Sequence, residues 1–263
     1  MLAPLARHHM TQAARLLVPI AIVCSVACGA EVSEQPAPGA TPGKKVDLAT
    51  AGSLTGLVRF EGTPPPADRL RFSNDCLKTA TPNPQSDAVL VAADGGLKNA
   101  FVYVRDGLEP GYTFDPPTGP AVLDQRGCIY APRVLGVRVG QAIEIVNSDP
   151  TLHNVHALPM INQEFNRSQP VRNSRMSQVF TAREVMVRFM CNVHGWMAAH
   201  VGVVDHPYFA VSDEAGRFEI RNLPPGSYTL EAWHEKFGRT TAQVTLAEKQ
   251  TQTVAFAFTA EAK

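Results

Sequence analysis

Short runs of β-branched and aromatic residues, each closed by Gly, Pro, Asn or Asp, recur from residue 54 almost to the C-terminus. They lie at 54–60, 100–104, 134–139, 142–146, 184–189, 201–204, 217–220, 227–233, 241–246 and 253–258. Many alternate with period two and none sustains a 3.6 period, so the chain is expected to be all-β, built as sandwiches rather than helical layers. Asp94-Gly-Gly, Val139-Gly-Gln and Leu223-Pro-Pro-Gly226 supply turn chemistry between runs. With Lys+Arg 24 against Asp+Glu 24 and no basic cluster, the chain has no electrostatic footprint for a phosphate backbone. No nucleic-acid partner is therefore expected.

The N-terminus reads as an export signal. Arg7 and Arg15 precede an apolar stretch at 16–27 that is interrupted by Pro19 and too short to span a bilayer. Ser25-Val-Ala-Cys28-Gly resembles a bacterial lipobox, with Ser25 where Leu is usual. Two outcomes stay open: a lipid anchor on Cys28, or ordinary cleavage beside it. Residues 29–52, with Pro36, Pro38 and Pro42, read as a flexible linker. The expected location is the periplasm or cell envelope.

Export changes the reading of the cysteines. Outside residues 1–28 there remain Cys76, Cys128 and Cys191. An odd number in an oxidising compartment suggests one disulfide and one thiol reserved for chemistry. Cys76 and Cys128 sit in loop-like surroundings, whereas Cys191 sits among other metal-binding residue types, so the pairing Cys76–Cys128 is expected. Two free buried thiols are the alternative.

The chemistry concentrates between Asn147 and Val204. His153-Asn154 opens one loop, and Cys191-x2-His194-x2-Met197 forms another between two strands. One thiolate, two imidazoles and a thioether make the donor set of a mononuclear copper site with trigonal His2Cys ligation and a weak axial Met. Zinc fits poorly, because structural zinc sites are built from Cys and His rather than Met. A Cys191–His194 catalytic dyad would leave Met197 idle and shows no adjacent orienting residue.

Asn147-x5-His153-Asn154 together with Cys191-x2-His194-x2-Met197 and the following His200-Val-Gly-Val-Val204 resembles the cupredoxins, a family of copper electron carriers, and its short ligand loop is most similar to that of amicyanin. The resemblance spans about residues 134–204 and implies a Greek-key β-sandwich with copper held by His153, Cys191, His194 and Met197. It also implies that Asn154 hydrogen-bonds the two ligand loops together. Leu152 stands where the family has Pro. Residues 53–124 read as an added β-rich portion without assigned function, so the cupredoxin-like domain is placed at 53–205.

Residues 206–263 resemble the carboxypeptidase regulatory-like module, a transthyretin-like β-sandwich. Asp213-Glu-Ala-Gly216, Leu223-Pro-Pro-Gly226 and Trp233-His234 carry that likeness, which implies a structural rather than catalytic role. The run at 54–60 looks like the first strand of such a module, so the copper domain could sit inside it.

His156, His200, His206 and His234 are not expected as first ligands, although a second metal on one of them stays open. Met160, Met176, Met186 and Met190 read as packing. Trp196 is expected in an apolar patch over His194, with a packed core position as the alternative, and His194, on the shorter and more exposed loop, is the expected electron exit near which redox proteins dock. The leading expectation is an exported copper protein that carries single electrons and is not an enzyme. A non-redox surface module for adhesion and a copper carrier remain the other readings. A copper oxidase would need many paired histidines, and of 8 in the chain His8 and His9 belong to the leader.

Overall fold

The structure is a computed structural model that describes residues 43–79 and 84–260. The expected leader and lipidated Cys28 lie outside the described residues. Among these residues the regular structure is β-strand, apart from a single 3-10 turn at Cys76–Lys78.

Two sandwiches share the chain. In one, β1 (Gly52–Phe60) pairs in parallel with β16 (Thr251–Phe258) and antiparallel with β13 (Arg217–Leu223). The facing sheet runs β12 (Phe209–Val211), β2 (Phe101–Asp106), β14 (Gly226–His234), β15 (Gly238–Leu246). Alternation directs Leu54, Val58 and Phe60 from β1, Leu230 and Ala232 from β14, and Phe256 and Phe258 from β16 into a common core.

The other sandwich has a sheet ordered β5 (Val134–Arg138), β11 (Ala198–Val204), β10 (Glu184–Met190), β7 (His153–Leu158), β8 (Phe165–Gln169). Its second sheet runs β4 (Ile129–Ala131), β3 (Ala121–Arg126), β6 (Ala142–Asn147), β9 (Arg175–Val179). Leu123, Ile143, Ile145, Val155, Phe180, Phe189 and Val201 fill the space between them.

The strand pairing departs from the sequence reading in one respect. β1 and β2 were expected to extend the domain at 53–205, but they complete the two sheets of the C-terminal sandwich. The β3–β11 sandwich is thus inserted between β2 and β12, and a cut at residue 205 would strip the C-terminal sandwich of two strands. The cause is backbone pairing at long range: β1 aligns with β16 over eight successive residues. The linker expectation also ends earlier than Gly52. Lys44 N donates to Gly111 O at 2.8 Å and Thr113 N donates to Lys44 O at 3.0 Å, so the chain is bonded to the folded body from residue 44.

The two sandwiches meet at Phe101, Tyr103, Val134 and Val204. Gly202 of β11 is paired with Gly136 of β5, and a Cβ at Gly202 would come within 2.5 Å of the Phe101 ring. The glycine pair therefore makes a flat seat for Phe101 and Phe209, which an Ala would overpack at a cost of roughly 1–3 kcal/mol.

Candidate metal centre

His153 begins β7, and Cys191 follows the last residue of the antiparallel neighbour β10, so both stand at the same end of one sheet. The loop from Cys191 then folds back on itself: Met197 N donates to His194 O at 2.9 Å and Cys191 N donates to Met197 O at 3.4 Å. His153, Cys191, His194 and Met197 are 0, 0, 2 and 1% exposed. The four residues singled out from the sequence are thus gathered in the interior.

Their donor atoms converge. His153 Nδ1 lies 3.0 Å from His194 Nδ1, and Cys191 Sγ lies 3.9 Å from His194 Nδ1. One atom from each of the three residues falls within 4.8 Å of the others. Met197 packs in the same core cluster as Cys191.

Hydrogen bonds around this cluster fix which nitrogen points inward. Asp149 Oδ2 stands 2.9 Å from His153 Nε2, so the carboxylate accepts that N–H and leaves the Nδ1 lone pair facing the centre. Asp149 is itself gripped by Gly127 N and Cys128 N, each at 2.8 Å. Those two residues form a two-residue turn between β3 and β4 with φ of 65° and 57°, the geometry that a type I′ hairpin requires. Glycine supplies that conformation freely at the first position. Asp75 Oδ2 sits 3.5 Å from His194 Nε2 and accepts the Thr151 hydroxyl at 2.5 Å.

Electrostatics follow from these contacts. Burial alone would push the Cys191 thiol up, but His153 and the amides of Asn154, His194 and Val193 outweigh it and hold the thiol below its ordinary value. Asn154 N and His194 N donate to the sulfur at 3.3 and 3.4 Å. Burial would likewise lower His153, yet Asp149 and Cys191 raise it to about 8. Burial and the His153 charge lower His194. Burial would raise Asp149, and the bonds from His153 and the two turn amides lower it instead. A carboxylate on one imidazole and two facing ring nitrogens beside a thiol of lowered pKa leave converging lone pairs that a cation would satisfy. One sulfur with two imidazoles, closed by a loop carrying Met197, fits copper better than a hard ion.

Asn154 links the two loops: Asn192 N donates to Asn154 Oδ1 at 3.1 Å, while the Tyr130 hydroxyl donates to Asn154 O at 2.8 Å. Cys76 and Cys128 form a disulfide across 52 residues, leaving Cys191 as the free cysteine of the described residues. One sulfur-bearing residue of this bridge, Cys128, belongs to the turn that holds Asp149, and the other follows Asp75.

Burial at His194 differs from the sequence expectation. His194 was expected at an exposed edge, but the disulfide-tied segment bearing Asp75 lies against it and leaves it 2% exposed. Trp196 is half-buried, stacks on Phe72 with ring centroids 4.9 Å apart and donates from Nε1 to Cys128 O at 2.9 Å. It lies beside His194, ring centroids 5.1 Å apart. Asp149 and Asp75 were not singled out as site residues. Asp149, four residues before His153, carried a readable signal; Asp75, remote in sequence, carried none. His156 lies outside the cluster, with Nδ1 on Asn192 and Nε2 on Glu164. His206 donates from Nε2 to Val104 O at 2.8 Å, and His234 stacks on Phe237 inside the C-terminal sandwich. Met160, expected to pack, is 96% exposed.

Residues 197–259 match the family model of the carboxypeptidase regulatory-like domain. The match covers β11 to β16, but not β1 and β2, which complete the two sheets of the C-terminal sandwich from the far side of the insertion. No curated protein matches the chain. Among solved structures, a purple cupredoxin from Nitrosopumilus maritimus aligns at 21% identity over 32% of this chain and 98% of its own, with a TM-score of 0.28. A reduced amicyanin variant aligns at 25% identity over 34% of this chain and 86% of its own, with a TM-score of 0.30. A copper-containing nitrite reductase from Thermus scotoductus SA-01 aligns at 20% identity over 38% of this chain and 26% of its own, with a TM-score of 0.30.

Proposed function

We propose that the inserted sandwich binds one copper ion through His153, Cys191, His194 and Met197 and exchanges single electrons with redox proteins at the cell envelope, without catalysing a reaction of its own. The observation that carries this reading is the 3.0 Å approach of the two buried Nδ1 atoms beside a buried thiol. Copper would supply the Cu(II)/Cu(I) couple. The chain's own residues do the rest. The Asn154 and His194 amides donate to Cys191 Sγ and so favour its thiolate form as a donor. Asp149 fixes the tautomer and ring plane of His153. The His153–Asn154 and Cys191–Met197 loops are bonded to each other and to Tyr130, so the donors keep their places when the metal's charge changes, which limits rearrangement. An exported location, with a lipid on Cys28 as one outcome, belongs to the same proposal.

The test is spectroelectrochemical titration of the full chain loaded with one equivalent of copper. A reversible one-electron wave that bleaches and restores an intense thiolate-to-copper band supports the reading. Copper that binds without a reversible couple would favour a carrier, and a folded chain that binds no copper would favour a non-redox surface module.

A further inference from the structure

The metal centre has no ligand edge at the surface, so electrons need another port. His194 is closed off by the segment bearing Asp75, which the Cys76–Cys128 disulfide fastens to the β3–β4 turn. The ring next to it is Trp196, 5.1 Å away between centroids. Trp196 reaches the wall of a cleft of about 590 Å3 that also contains Arg188, Lys236, Arg133, His200 and Asp68.

The charges in this cleft are unequally spent. Arg133 is half-buried and engaged by Asp87 and by both oxygens of Glu235, so its charge is more than offset by its own partners. Arg188 and Lys236 are exposed and form no ion pair among the described residues. Asp68 and Glu235 are the acids of the lining, Glu235 being spent on Arg133. Arg188 stands directly across from His200 in the β10–β11 ladder. His200 is 9% exposed, and its Nδ1 lies 3.6 Å from Glu235, too far for a hydrogen bond, and has no partner. Burial first, then the charges of Arg133, Arg188 and Lys236, lower His200 to about 4.

We infer that this cleft is the docking surface for a redox protein with a carboxylate-rich face, and that Trp196 is the electron port between that partner and His194. The inference rests on the copper reading above. Small interfaces steered by charge suit transient electron-transfer encounters, and unpaired cations beside the port would raise the encounter rate with an acidic partner.

The experiment uses the full chain loaded with Cu(I). Its oxidation is followed by stopped flow with two outer-sphere reagents of opposite charge, hexacyanoferrate(III) and tris(phenanthroline)cobalt(III). One electron leaves the protein and reduces the reagent in each case. The wild type is expected to react faster with the anion as ionic strength falls. Arg188→Glu combined with Lys236→Glu should slow the anionic reagent by about tenfold at low salt and speed the cationic one, with the absorption band and potential unchanged. Polyglutamate should compete with hexacyanoferrate(III) in the wild type and not in the double variant, whereas acetate at equal carboxylate concentration should not compete. Rates unchanged by the double variant would overturn the port and place it elsewhere, for instance at exposed Leu152 and Val193 beside the ligands. Equal competition by acetate would overturn the docking claim, leaving a site for small carboxylates. Absence of the absorption band would instead sink the copper reading itself, a failure visible before any rate is measured.

Discussion

Asp149 Oδ2 lies 2.9 Å from His153 Nε2, and the same oxygen accepts the Cys128 amide at 2.8 Å. One carboxylate thus joins the His153 imidazole, whose Nδ1 faces His194, to the hairpin turn that carries half of the disulfide. An amide in place of that carboxylate would keep the shape and remove the charge.

Asp149→Asn is expected to weaken copper binding by about 10–100-fold, because the partner that orders His153 and strengthens its donor atom is lost. Competition against a chromophoric chelator measures it. Unchanged affinity would mean that His153 is held by packing alone.

Met197→Leu should leave the coloured site in place and move its potential upward, since the thioether is the weak donor that favours Cu(II) over a hydrocarbon. Voltammetry of the two proteins decides it. An unchanged potential would remove Met197 from the donor set.

Cys76→Ser with Cys128→Ser opens a 52-residue loop, for which chain entropy suggests a loss of about 4 kcal/mol. Because the bridge ties the Asp75 segment to the turn beside the centre, the variant should also expose His194. Denaturant unfolding gives the first effect, and proton exchange at the His194 ring gives the second.

Acid should weaken the fold through His200 and His234. Both are buried and neutral, with burial the largest cause of values lowered from 6.5 to about 4. The unfolded chain binds protons that the folded one refuses, so stability falls as pH drops from about 6.5 to about 4, by up to roughly 3 kcal/mol for each group. In the metal-free chain His153, raised to about 8, acts oppositely: it adds stability below 6.5 that is lost as pH rises through 8. His234→Gln should shrink the stability difference between about pH 7 and about pH 4.5 seen in denaturant unfolding. An unaltered difference would show that His234 protonates in the folded state.

Much of this was legible in residue types. Period-two runs gave the strands, and Cys191-x2-His194-x2-Met197 placed three site residues in one loop because a tight turn between paired strands leaves them nowhere else to go. The disulfide followed from counting cysteines. What escaped depended on long-range pairing. β1 joins β16 across most of the described chain, so the insertion of one sandwich into the other leaves only a faint local trace at 54–60. The covering of His194 by Asp75 rests on a tertiary contact between segments with no shared pattern. Asp149 differs, since its place four residues before His153 was readable, but an acid beside a histidine has meaning only once its amide partners at Gly127 and Cys128 are seen.

The most direct measurement is visible absorption and electron paramagnetic resonance of the folded chain titrated with Cu(II), alongside Cys191→Ala and His153→Ala. An intense charge-transfer band saturating at one copper per chain, lost in both variants, is the expected result. A band of the same intensity in Cys191→Ala, or none in a folded wild type, would contradict a copper centre built on these residues.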